Sequence, residues 1–398
     1  MVTASIGTER QVISQRVRSI PASGIRRYFD LVSTIPDVIS LGVGEPDFST
    51  PPQISAAASS PLAVSDYFST HYSSNYGILS LRRALATHLE RRYGVGYEPR
   101  SELLITVGVS EALDLSLRAI VDPGDEVIIP EPSYVSYIPC TVLAGGVPVM
   151  VPAIAAQQFA PNPAAIAAAI TPRTKAILLG YPNNPTGAVA SRATLQRIVQ
   201  LAVEHDLILI SDEIYDRLVY DGEHVCVAAL PGARDRTILL GGFSKAYAMT
   251  GWRIGYAAAR PDILEAMMKI HQYVIMCAPS AAQLAAEEAL RSGEDDVVQM
   301  VEEYDRRRRL IVDGLNALDL TCVEPKGAFY AFPSIRSTGL TSEQFADGLL
   351  REERVLVVPG GAFGPAGEGH VRCSYATALP RIEEALVRIG RYLRKLGG

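Results

Sequence analysis

No apolar run in these 398 residues approaches the ~20 that a membrane-spanning helix needs. The N-terminus shows no basic-then-apolar leader pattern either. A cytoplasmic protein without a membrane partner is expected. Cysteine is sparse: Cys140, Cys226, Cys277, Cys322 and Cys373 stand singly, with no CxxC pair and no grouping with His. That scatter suits a reducing compartment, and no zinc site is implied. A long basic block is missing, and the net charge of −6 is spread along the chain, so no nucleic acid partner is expected. The densest basic run, "DRRRRL" beside "VEEY", reads as a solvated helix face. No G-x-G-x-x-G follows a strand-like run; "GVGEPD" lacks the third glycine and "LLGGFSK" is wrongly spaced, so a nicotinamide-dependent oxidoreductase gains no support. There is no internal repeat, and no spare stretch of about 60–80 residues that a DNA-binding module would need.

What is present is a core-forming chain, 48% hydrophobic and 20% charged, long enough for two domains. Short apolar runs alternate with amphipathic segments, the pattern of βαβ units around a mostly parallel sheet. Seven runs qualify as strands: "ELLITV", "DEVIIP", "VPVMVP", "KAILLG", "LILISD", "TILLGG" and "RIGYAAA". They lack polar alternation, as expected of strands covered by helices on both faces. After about residue 280 come a long charged helix, short strand-like pieces ("AFYAFP", "VLVVPG", "VRCSYA") and a closing basic helix. The expected architecture is α/β, with a large domain over 46–280 and a smaller α+β domain from 1–45 and 281–398.

Ligands of open parallel sheets bind beyond the carboxyl ends of the strands. The residues after each run therefore matter: "YPNNPTG", "DEIY", "FSK" and "GVSEA". Each has a bland reading as turn chemistry, a helix cap or a solvated lysine. Together, Asp212, Lys245 and Asn184 would make one buried edge a costly place for unpaired polar groups. A helix start at Gly108–Ser110 suits a phosphate, and Arg253 can fork onto the same anion. Asp212 suits a heteroaromatic ring nitrogen, Asn184 and Tyr215 suit a ring hydroxyl, and Lys245 suits an aldehyde through a Schiff base. Those four features describe pyridoxal phosphate.

At this point the sequence resembles the fold-type I, class I aminotransferases, in the branch of bacterial and archaeal aspartate, alanine or aromatic enzymes. The match runs from "SLGVGEPDFSTP" through "YSSNYGILSLR", "TVGVSEA", "PEPSYVSY", "YPNNPTGAV", "SDEIYD" and "FSKAYAMTGWRIGY" to "GHVRCSYA". The resemblance implies a pyridoxal 5'-phosphate cofactor, with Lys245 as the Schiff-base lysine and proton shuttle. It puts Asp212 on the pyridine nitrogen, Tyr215 and Asn184 on the ring hydroxyl, and Tyr134 against the ring face. Phosphate falls to Gly108, Val109, Ser110, Arg253 and a Tyr72 reaching across from a partner subunit, hence a homodimer. Arg372 and the backbone of Gly44 receive the substrate α-carboxylate. Asn184–Pro185 is a candidate cis peptide.

Three departures stand out. Relatives often carry serine where Gly242 stands, leaving Ser244 as a substitute phosphate donor. Tyr134 replaces a frequent tryptophan. Ser110 replaces a lysine that in some members receives a distal carboxylate, which weakens an aspartate assignment. The implied reaction is ping-pong transfer of an amino group from an L-amino acid to a 2-oxo acid, 2-oxoglutarate being the expected acceptor. The alternative on the same scaffold is β-elimination by a carbon–sulfur lyase. Ile25, Arg26 and Tyr273 are expected near the donor pocket, whereas Trp252 reads as core packing and Cys373 as buried and inert; most histidines read as surface or structural, with His71 and His271 nearest to the expected site.

Overall fold

The computed structural model describes residues 11–21, 24, 35–59 and 71–397. A short strand, β1 (Ile39–Ser40), precedes seven that build the main sheet: β2 (Leu103–Thr106), β3 (Glu126–Glu131), β4 (Val147–Pro152), β5 (Thr174–Gly180), β6 (Ile208–Asp212), β7 (Thr237–Gly242) and β8 (Gly255–Ala258). Across the sheet they run β2-β8-β7-β6-β5-β3-β4. All seven apolar runs are therefore strands of one sheet. The neighbours from β4 to β7 pair in parallel, while β8 is antiparallel to both β7 and β2.

Burial explains why these strands lack alternation. Along β5, Ile177 and Leu179 enter a core with Leu195 and Ile198 of the helix Arg192–Glu204. Ala176 and Leu178 enter another, with Leu113 and Leu117 of the helix Gly108–Ile120 and Leu264 and Met267 of the helix Pro261–Val274. Successive side chains point to opposite faces, and here both faces are apolar. Truncating such a leucine costs about 2–5 kcal/mol. Only β4, at the sheet edge, leaves Val147 and Met150 exposed.

The C-terminal third adds β9 (Tyr330–Ala331), β10 (Val355–Leu356), β11 (Val358–Pro359) and β12 (Val371–Ser374). The last of these lies between β11 and β9, antiparallel to both. β1 pairs in parallel with β10, Ile39 opposite Val355, so residues 39–40 join this part. Its core includes Tyr304, Ile311, Phe329, Phe345 and Tyr392. The helices Glu294–Ala317, Ser342–Glu353 and Leu379–Leu396 surround that core; Thr341 and Gln344 form a capping box at the second.

The run "DRRRRL" corrects the expectation of a solvated face. Arg306 and Arg309 are exposed, but Arg307 and Arg308 are buried. A buried guanidinium must be matched by acceptors. Arg308 donates to Asp305, to Asp221 at 3.0 Å and to the Pro325 carbonyl at 3.0 Å; Arg307 reaches Asp47 at 2.8 Å. Among the described residues, no helix is long and apolar enough to cross a membrane and no group of His, Cys, Asp and Glu could hold a metal ion.

Candidate active site

The direction of β8 is what gathers the functional groups. Antiparallel to both neighbours, it leaves β2 running the same way as β7. The carboxyl ends of β2, β5, β6 and β7 thus share one edge, delivering Gly108, Asn184, Asp212 and Lys245. β8 begins where they end, so Arg253, two residues before it, arrives at the same edge. A cavity of about 680 Å³ opens there, lined by Gly44, Val109, Ser110, Tyr134, Asn184, Asp212, Tyr215, Ser244, Lys245, Arg253 and Arg372. Gly108 lies directly behind Arg253.

Lys245 follows β7, and its Nζ donates to the Gly44 carbonyl at 2.7 Å. The ammonium lies 5.9 Å from the Tyr215 ring centre and 5.8 Å from that of Phe329. Burial, with Arg372 and Arg253 nearby, pushes its pKa down to about 8, against the pull of Glu45 and Asp212. Asp212 closes β6. One carboxylate oxygen accepts the Tyr137 hydroxyl at 2.9 Å, the other the Ile214 N–H at 3.2 Å. Burial raises its pKa to about 6 even though both donors oppose the rise. Tyr137 reaches it because the adjacent strand ends in glycine: a Cβ at Gly180 would overlap the phenol oxygen.

Arg372, on β12, crosses to the main sheet. Its Nη1 donates to Asn184 Oδ1 at 2.9 Å and its Nη2 to the Gly42 carbonyl at 2.6 Å. The guanidinium sits 4.5 Å from the Tyr330 ring centre and 5.0 Å from that of Phe363. Its Nε is buried without a hydrogen-bond partner among the described residues, an unspent donor facing a need for an acceptor. The hydroxyls of Tyr215 and Tyr330 are 2.7 Å apart. With the Asn184 oxygen committed to Arg372, its amide NH2 remains as a donor. The Asn184–Pro185 bond is cis, as are Glu131–Pro132 and Tyr181–Pro182.

At the other end lies the first turn of the helix Gly108–Ile120. Gly108 has φ +76°, and a Cβ there would come within 2.8 Å of Arg253 Nη2. Only glycine permits that torsion and that approach at low cost. Packing also accounts for Gly242. A Cβ there would meet Ile214 Cδ1 at 3.1 Å and both Gly255 Cα and Val109 Cγ2 at 3.2 Å. A serine would crowd the turn that positions the helix start. Ser244 lines the cavity instead.

Two expected participants are not assembled by a single chain. Tyr72 is 78% exposed and does not line the cavity, and Tyr273 is 86% exposed. Ile25 and Arg26 lie outside the described residues. Trp252 packs against the core and donates from Nε1 to Thr50 at 3.0 Å; Cys373 is buried. Sequence reasoning missed Tyr137, Tyr330, and Glu45, which accepts from Thr250 at 3.1 Å. The only local signal for Tyr137 was its place three residues after Tyr134 in "YVSY".

The mostly parallel seven-stranded sheet, with a lysine, an aspartate and an arginine converging at its carboxyl edge, defines a fold-type I α/β enzyme. The profile of the family described as aminotransferase class I and II matches residues 36–389. The Bacillus subtilis protein YugH, whose name says aminotransferase without a substrate, is 52% identical over 383 residues, 96% of this chain and 98% of that one. The aspartate aminotransferase of Pyrococcus abyssi is 45% identical, over 96% of this chain and 98% of its own. Among solved structures, the aspartate aminotransferase from Thermus thermophilus with maleate superposes with a TM-score of 0.91 at 40% identity, covering 96% of this chain and 100% of that one. The chain belongs to the class I and II aminotransferases and is an enzyme of that pyridoxal-phosphate-dependent family.

Proposed function

We propose that this cavity holds pyridoxal 5'-phosphate and that the enzyme moves the amino group of an L-amino acid to 2-oxoglutarate in a ping-pong cycle. The observation that carries the reading is the convergence of Lys245, Asp212 and Arg372 on one cavity that also receives a helix N-terminus and Arg253. The residues fit the cofactor and a substrate carboxylate. Arg372 keeps a buried donor without a partner, and the glycine turn at Gly108 lies flush against Arg253. A phosphate suits the second place and an α-carboxylate the first.

When bound, the cofactor supplies a ring that accepts the electrons left on Cα as a proton departs. Asp212 would hold a proton against the ring nitrogen, and Asn184 and Tyr215 would meet the ring hydroxyl. Tyr134, which lines the cavity, would face the ring. Gly108, Val109, Ser110, Ser244 and Arg253 hold the phosphate. Lys245 Nζ would hold the cofactor and, as a free amine, would take the Cα proton and keep it for return. Its lowered pKa keeps a share of the amine neutral near pH 7. Arg372 and the Gly44 backbone fix the α-carboxylate, so that the Cα–H bond is the one presented for cleavage. The exposure of Tyr72 on its own chain supports its serving the phosphate of a second copy, which requires a two-fold homodimer. The proposed large domain is the sheet-bearing part over 46–280, joined by the helix Ser280–Ser292, whose Ala282, Ala285, Ala286 and Ala289 share a core with Leu103 and Ile105 of β2; the proposed small domain takes 1–45 and the rest of 281–398.

The test is glutamate formation from 2-oxoglutarate with alanine, aspartate, glutamate analogues and aromatic donors supplied separately. Parallel double-reciprocal lines are expected, with loss of all turnover in Lys245→Ala. Pyruvate and ammonia released from cysteine-like donors without an acceptor, and no glutamate from any donor, would replace transfer by β-elimination.

A further inference from the structure

We propose that His271 is a positioning residue for the cofactor's phosphate, acting through Glu111; the inference rests on the phosphate reading of the cavity given above. His271 belongs to the helix Pro261–Val274 and its side chain is fully buried. The mechanism leaves it unused. Its Nδ1 lies 2.7 Å from Glu111 Oε1, and in the Nδ1–H tautomer the imidazole donates to that oxygen. The other Glu111 oxygen accepts the backbone N–H of Val107. Thus a side chain from one helix grips a carboxylate on a second, and that carboxylate grips the turn leading into Gly108–Ser110.

That turn needs bracing. Val107 has φ −78° and ψ 66°, and Gly108 has φ +76°, so neither residue is held by regular helix geometry. Besides Glu111, the Thr106 hydroxyl helps by donating to the Gly108 carbonyl at 3.0 Å. Donors aimed at an anion act most strongly when they are fixed beforehand. A glutamate side chain has three free torsions, and ordering it costs free energy; the His271 bond supplies that order from a site no water reaches. The bond also draws charge away from a carboxylate one turn from a phosphate dianion. His271 Nε2 is buried and has no partner among the described residues. The imidazole is thus held in the core with its Nδ1 bond as its one polar contact there, an arrangement that a packing residue alone would not need.

The test compares the binding of pyridoxal 5'-phosphate with that of pyridoxal, which lacks only the phosphate, to the full-length cofactor-free chain. In His271→Leu the affinity for the phosphate compound falls roughly tenfold, as for one lost hydrogen bond to a charged group, while pyridoxal binding is unchanged. His271→Asn, whose amide donates from near the Nδ1 position, recovers the wild-type ratio to within about twofold. If the leucine variant does not fold, His271→Met, which fills the site without a donor, takes its place with the same expected loss. An unchanged ratio, or equal loss for both compounds, overturns the positioning role. Failure of the wild-type chain to bind either compound overturns instead the cofactor reading beneath it.

Discussion

Replacing Lys245 with methionine should stabilise the cofactor-free chain at neutral pH while abolishing amino-group transfer. The side chain's pKa falls from 10.5 to about 8 on folding, chiefly through burial. A gap of about 2.5 pH units, at about 1.4 kcal/mol each, means that the buried ammonium opposes folding by about 3 kcal/mol below pH 8. Methionine has nearly the same length and no charge. It forfeits the bond to the Gly44 carbonyl, which is worth about 1 kcal/mol, so a net gain of about 2 kcal/mol is expected. The sign with pH follows from proton counting. Between pH 8 and 10.5 the unfolded chain keeps the lysine proton that the folded chain has released, so wild-type stability rises across that window. The methionine variant has no such rise. Its advantage should shrink from about 2 kcal/mol near pH 7 to nothing or slightly less above pH 10. Denaturant midpoints of the two cofactor-free chains, at equal protein concentration, measure this. Midpoints that move in parallel with pH, or a variant less stable than wild type at neutral pH, would refute the argument that burial dominates at Lys245.

Three further outcomes follow from the geometry. Tyr137→Phe removes a hydrogen bond that lowers the Asp212 pKa, so the acid limb of the kcat/KM profile should move upward by about one pH unit; an unmoved limb would show that Tyr137 only packs. Arg372→Lys replaces a fork that bonds Asn184 and Gly42 together, and kcat/KM should drop about 100-fold with cofactor affinity unchanged; equal losses in both would assign Arg372 to the cofactor. In Gly242→Ser the new Cβ meets Ile214, Gly255 and Val109 at 3.1–3.2 Å, and stability should fall by about 1–3 kcal/mol. Tighter cofactor binding with unchanged Tm would mean that the serine fits after all.

The strands and the carboxyl-edge residues were legible because each leaves a mark within a few neighbouring positions. An unbroken apolar run signals a strand covered on both faces, and a polar residue just after it signals a sheet edge. Lys245, Asp212 and Asn184 follow that rule. Tyr137 does not, because its meaning depends on Asp212, 75 positions away, and on the glycine that ends β5. Glu111 and His271 are 160 positions apart; neither residue alone departs from what a helix normally carries. The burial of Arg307 and Arg308 escaped for the same reason, since the acceptors that make it tolerable come from Asp47 and Asp221.

Those distant partners also decide whether the two central groups can react. Had Lys245 paired directly with Asp212, each would have favoured the other's charge, driving the lysine up and the aspartate down. An ammonium fixed in that way makes a poor base. Instead Lys245 donates to a carbonyl and Asp212 accepts from a phenol and an amide. Both find neutral partners, so desolvation prevails at each and moves the lysine to about 8 and the aspartate to about 6. The same burial thus brings a strong base and a strong acid towards neutrality from opposite sides, while leaving the carboxylate mostly ionised and the amine partly free near pH 7. On this view Tyr137 and Gly44 matter to catalysis because they are uncharged. A cationic side chain in place of the Tyr137 phenol would drive the Asp212 pKa back down, and an anionic one beside the Gly44 carbonyl would drive the Lys245 pKa back up.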